Sequence, residues 1–211
     1  MCRPSDRDTD RGQAYTLEGL ISAMVVLMAV LFALQAVVIT PTTGGLGDRT
    51  VQVQVQQETQ DALVVAAGDQ PRNLSNMLRY WDGNGGFQNA SSPHPDGYDV
   101  YQADKKDNFT KKFTLGDVLY NRFGDNGQNY NVEAHYTNGN DHETRTLVYH
   151  GNPPASAVTA SYTVTLYEDQ HTTGDEDRRL RDFTPENRTI PRDANTGDYI
   201  YNVVELRVIV W

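Results

Sequence analysis

The chain of 211 residues has one cysteine, four lysines and, between Gly19 and Ile39, no charged residue. Each scarcity excludes something. A lone Cys2 cannot close an internal disulfide or build a cysteine-based metal site, so the folded part must be held together by packing. Cys2 also precedes the apolar run across a polar tail, the wrong order for a bacterial-type lipid-attachment box. No two of the five histidines (His94, His135, His142, His150, His171) have the His-x-x-x-His spacing of a helical zinc site. Gly-x-Ser-x-Gly, a P-loop and Gly-x-Gly-x-x-Gly are all missing, and Gly83-Asn84-Gly85-Gly86 reads as a turn. No cofactor and no enzymatic activity are expected.

The scarcity of lysine goes with an excess of acid. The net charge is −10, with 20 Asp against 8 Glu and 14 Arg against 4 Lys. Past the apolar run there are 24 acidic and 15 basic side chains, so this part carries 24 − 15 = 9 net negative charges. That balance disfavours nucleic acid, whose binding rests on Lys and Arg at phosphates. The Asp-heavy, Lys-poor surface reads as that of a halophile, with an ordinary acidic surface as the other reading. The four lysines stand together as Lys105-Lys106 and Lys111-Lys112.

What is present is one long apolar stretch. Gly19–Ile39 is interrupted only by Ser22 and Gln35. About 20 such residues, rising 1.5 Å each, cross a hydrocarbon core of roughly 30 Å. Arg3, Arg7 and Arg11 flank it on one side, and the first charges on the other are Asp48 and Arg49. The positive-inside rule then puts the N-terminus in the cytoplasm and the C-terminal part outside the cell, on a single-pass membrane protein. The run is longer than a secretory signal core and has no small-x-small site after it, so the helix is expected to stay with the mature chain. The expected layout is a leader 1–12, a membrane helix 13–40, a hinge 41–49 at Pro41-Thr42-Thr43-Gly44-Gly45-Leu46-Gly47, and a head 50–211.

The residues before the helix, Arg11-Gly12-Gln13-Ala14-Tyr15-Thr16-Leu17-Glu18, resemble the processing segment of archaeal type IV pilin-like precursors. In that family a prepilin-type peptidase cuts after the glycine, and the helix then packs in a filament core. The resemblance therefore implies a processing site at Arg11, Gly12 and Gln13, with other pilin-like subunits as partners. Glu would become the sixth mature residue rather than the family's usual fifth; a cut after Ala14 would make it the fourth. Whatever the family, a carboxylate at the head of an apolar helix is favoured by the helix dipole, and within a bundle it needs neutralising. A new α-amino group would supply a partner, giving Glu18 a role in assembly; a first-turn acid at the water interface is the alternative. Tyr80-Trp81-Asp82, Val158–Tyr167 and Tyr201–Trp211 are similar to segments of small haloarchaeal pilin-like proteins of unknown function, which extends the resemblance over most of the chain.

In the head, Val51, Val53 and Val55 alternate like a strand, whereas Val55, Ala62, Val65 and Ala66 form a helical stripe ending at Gly68. The stripe predicts a helix over about 52–67. Leu74, Met77, Leu78 and Trp81 predict a second helix opened by Pro71, and 83–107 reads as a long loop. Thr114 with Asp117 looks like a capping box ahead of a short helix through Phe123. Strands follow: 130–136, a turn at Asn138-Gly139, a return over 144–149, then 158–166 and 199–211 with Ile200, Val204, Leu206, Val208 and Val210 inward. The fold class is α+β, with short helices on an antiparallel sheet. The acidic segment 168–198 shows no apolar period.

Two constellations invite a metal reading. His135 and His142 flank the hairpin turn, and Asp175-Glu176-Asp177 offers oxygen ligands without EF-hand spacing; in both, solvated surface residues are the expected reading. Asn73, Asn89, Asn108 and Asn187 open Asn-x-Ser/Thr sequons on the outer side and are candidate N-glycosylation sites. Three functional readings remain: a pilin-like (minor) subunit of a surface filament or pseudopilus, a monomeric signal-anchored envelope protein with a ligand-binding or structural head, and an anchored enzyme, which no constellation supports.

Overall fold

The computed structural model describes residues 7–37, 43–103 and 108–211. The chain divides into two units, Met1–Asp48 and Arg49–Trp211.

In the first unit, helix α1 runs Arg7–Val37. Part of the expected leader, from Arg7 onward, is thus helical and continuous with the apolar run; residues 1–6 and 38–42 lie outside the described ones. Helix α2 covers Thr43–Gly68. Of the expected hinge 41–49, the described residues Thr43–Arg49 are helical. Glycine weakens a helix by about 1 kcal/mol per residue relative to alanine, and three of them have not ended this one.

In the second unit, α2 buries a stripe of Thr59, Ala62, Leu63 and Ala66, while Val64 and Val65 are exposed. The strand-like alternation of the valines loses to the helical period, because four buried positions at spacings of three and four outweigh three alternating ones. The predicted second helix shrinks to α3, Leu74–Leu78. Asn73 caps it, its side-chain oxygen accepting from the Asn76 N–H at 2.9 Å. Trp81 falls just past the helix but keeps its inward place. The loop 83–107 contains two short paired strands, β1 (Ser92–Pro93) and β2 (Asp99–Val100), and is followed by a one-turn helix α4, Asn108–Lys112, that periodicity could not reveal. Helix α5, Thr114–Arg122, follows. Its N-cap is Phe113, with no side-chain cap; the Thr114 hydroxyl donates instead to the Asp69 carboxylate, so the expected capping box is absent.

The sheet has strands β3 (Tyr130–Asn138), β4 (Asp141–Val148), β5 (Val158–Tyr167) and β6 (Ile200–Val210), all antiparallel, in the order β4-β3-β6-β5. The C-terminal strand is therefore interior. Gly139, at φ +66°, allows the two-residue turn between β3 and β4. Register puts Val132 and Ala160 either side of Val208, with Ala134 beside Leu206 and Val164 beside Val204, all buried. A one-residue slip would expose this entire set, so the apolar alternation specifies the pairing. Ile200 is only half-buried; Asn202 and Tyr201 occupy the interior instead, at 0% exposure. Asn202 is accommodated because its amide donates to the Thr137 and Pro191 carbonyls.

Segment 168–198 has 3₁₀ turns at Leu180–Asp182 and Pro185–Asn187. It is held by isolated anchors rather than a period: Leu180, Phe183 and Ile190 are buried. Phe183 meets the face-buried Trp81 edge-on at 5.3 Å, and the Trp81 indole N–H donates to the Leu78 carbonyl at 2.7 Å. Asp193 fastens the segment to the sheet. Its carboxylate accepts from the Thr137 hydroxyl at 2.6 Å and the Asn195 N–H at 2.9 Å, and these bonds hold its pKa below the ordinary value. Buried residues of α2, α3, α5, the sheet and this segment make one apolar cluster.

Candidate functional site

The first unit carries the surface that most needs a partner. Every residue from Tyr15 to Phe32 is exposed, at a mean hydropathy of 2.0. Leu17 is 62% exposed, Leu27 63% and Phe32 70%. These 18 residues span about 27 Å at 1.5 Å each. Small and large apolar residues cover all sides of the helix, so no polar face is left for water. An apolar surface of this kind favours transfer from water into lipid or against another apolar face. By length and composition it can cross a membrane once. Glu18 is exposed at the N-terminal side of this surface but lies about three turns inside α1, too far from the helix start for the dipole to favour its carboxylate. Arg11, Gly12 and Gln13 lie within α1.

In the head, the expected chemistry is dispersed. Among the described residues, no group of three His, Cys, Asp or Glu could hold a metal ion. His135 pairs across the hairpin with Thr144, and His142 with Thr137. The His135 ring bonds to Glu133 at 2.9 Å and Thr144 at 3.0 Å, which makes it a sheet-surface residue. On the same face Glu205 and Arg207 pair at 2.7 Å, pulling the carboxyl pKa down and pushing the guanidinium pKa up. The trio 175–177 also serves structure. The Asp175 N–H donates to Gln88 at 2.6 Å, Glu176 meets Arg178 at 3.4 Å, and Asp177 meets His171 at 2.6 Å.

The four sequons differ in access. Asn108 and Asn89 are exposed, with the Asn89 amide donating to the Tyr80 hydroxyl at 2.9 Å. Asn187 is half-buried. Asn73 is buried, its side chain spent on the α3 cap.

One constellation was not anticipated. A hollow of about 410 Å³ is lined by Pro71, Arg72, Asn76, Lys111, Lys112, Phe113 and Thr173. The lysine pairs were visible in the sequence, but the arrival of Arg72 beside two of them, 39 and 40 residues away, was not.

A family model described as a family of unknown function, DUF7288, matches residues 11–210. No curated protein and no solved structure matches the chain.

Proposed function

Because the chain belongs to the DUF7288 family, whose match takes in both the apolar helix and the head, we propose from its own features that it is a non-enzymatic pilin-like subunit. In this reading it is held in the cell membrane by α1, N-terminus inside and head outside, and assembles through α1 with other pilin-like subunits into a surface filament or pseudopilus. The observation that carries the reading is the wholly uncovered apolar surface of Tyr15–Phe32 with Glu18 at its head. A plain tether needs only the apolar length; the acid beside an Arg-Gly-Gln segment is the feature that favours a processed precursor. Removal of the leader before Gln13 would put an ammonium within a few turns of Glu18. A Glu18 carboxylate inside a helix bundle is then neutralised by an incoming subunit, and an unpaired buried carboxylate is expensive. The Lys-poor acidic head fits a cell surface in concentrated salt, where screening relieves its self-repulsion.

The processing step is tested by intact mass. Protein purified from its own membranes is expected to be shorter than the encoded chain by the residues through Gly12. Gly12→Leu is expected to retain them. Identical full-length mass in both forms would remove the precursor reading and leave a signal-anchored surface protein with a structural or ligand-binding head.

A further inference from the structure

The hollow lined by Arg72, Lys111 and Lys112 is unusual for where it sits. The chain past the membrane run carries nine net negative charges, and most of its described arginines near carboxylates are paired with them: Arg122 with Glu58, Arg178 with Glu176, Arg181 with Asp169, Arg192 with Glu168. The three cations of the hollow make no ion pair with any described carboxylate. The acid nearest Arg72 in sequence, Asp69, accepts from the Thr114 hydroxyl.

The walls hold these cations in place. The Arg72 side chain donates weakly to the Lys112 and Thr110 carbonyls, at 3.3 and 3.4 Å, which fixes the guanidinium and leaves three of its five N–H groups. The Lys112 ammonium lies 4.8 Å from the centre of the Tyr80 ring. Tyr80 in turn meets Phe113 edge-on at 5.4 Å, and Phe113 with Pro71 gives the hollow its apolar lining. Asn76 is pinned by Arg79 and by Pro71, and the Thr173 hydroxyl donates to the Asn76 carbonyl at 2.6 Å. The volume is within the range of small-ligand sites.

We infer that this hollow binds an oxyanion, a carboxylate, sulfate or phosphate group carried on a compact body about the size of a sugar ring. The guanidinium supplies planar recognition and the two ammonium groups supply point charge. The apolar floor takes the body that carries the anion. This site is independent of the pilin-like reading, since it needs neither cleavage nor helix association.

The test is calorimetric titration of the full chain in neutral detergent at low ionic strength with three probes: sodium sulfate, inorganic phosphate and galacturonate. Saturable binding of at least one probe is expected, weakened tenfold or more in the triple variant R72Q/K111Q/K112Q and unchanged in Arg49→Gln, which lines a different hollow. Tighter binding of galacturonate than of the two inorganic anions upholds the carried body; equal or tighter binding of sulfate or phosphate overturns that part of the inference. No saturable binding by the wild-type chain overturns the inference, and so does equal binding by a folded triple variant. Should that variant fail to fold, amide shifts of the wild-type chain on sulfate addition decide. Shifts centred on residues 71–76, 111–113 and 173 uphold the site, and shifts centred elsewhere overturn it.

Discussion

The double substitution Val26→Asp with Leu27→Asp will release the protein from membranes. Both residues are more than 60% exposed in the middle of α1, so the variant breaks no packing within the chain. What changes is the transfer of the helix into hydrocarbon. An aspartate at the centre of a membrane helix costs about 3 kcal/mol, so the pair costs about 6 kcal/mol. That is a shift of roughly four orders of magnitude in the insertion equilibrium. Alkaline carbonate extraction reads it directly: the wild-type chain stays in the pellet, and the variant moves to the supernatant or is degraded. Val26→Leu with Leu27→Ile stays in the pellet. A carbonate-resistant aspartate variant would mean that α1 is not what holds the protein.

The second large effect concerns the head. Gly174 lies where segment 168–198 passes over Trp81. A Cβ at this position would overlap the Trp81 carbonyl oxygen and the Gln88 side chain, the same Gln88 that accepts the Asp175 N–H. Backbone cannot yield as a flexible side chain can, so Gly174→Ala forces the segment off its seat. Overpacking of this kind costs about 1–3 kcal/mol. Trp81→Ala removes the ring that Phe183 and Tyr201 pack against, at about 3–5 kcal/mol. For a unit of this size, that lowers the melting temperature by on the order of 10 °C. Thermal melts followed by near-UV circular dichroism are the measurement. If Gly174→Ala melts with the wild-type chain, segment 168–198 does not seat as described. If Trp81→Ala does so, the apolar cluster is not organised around the indole.

Why some elements could be read beforehand and others not follows from how each is specified. Three of the four long strands announce themselves because one face is buried and the other wet, which writes a period of two into Tyr130–Tyr136, Val158–Leu166 and Val204–Val210, whereas β4 is exposed along its first half and buried over Thr146–Val148, and is placed by the turn before it. The order β4-β3-β6-β5 leaves no such trace, since pairing β6 between β3 and β5 is a long-range choice. Short elements fail for the opposite reason. Neither α4 nor the β1–β2 pair is long enough to show a period. The capping-box reading of Thr114 went wrong because a hydroxyl near a helix start has other acceptors, and Asp69, 45 residues earlier, was the better one. Segment 168–198 lacks periodicity because it is irregular, yet Leu180, Phe183 and Ile190 dock it as three separate anchors.

The candidate sites divide in the same way. The apolar run is legible as a run, since length and hydropathy need no partner residues. The oxyanion hollow was half legible: the lysine pairs stood out, but a three-sided site exists only once Arg72 has been folded against them. Among the sequons, sequence alone ranks Asn73 with the others apart from its helix start; burial at the α3 cap removes it from reach in the folded head.

Disulfide cross-linking along α1 tests the central claim most directly. In a Cys2→Ser background, single cysteines at each position from 20 to 37 are oxidised in native membranes. Lateral association predicts dimers recurring every three to four positions along one side of the helix, abolished by Glu18→Ala. A uniform absence of cross-links at all of these positions would contradict assembly through this helix.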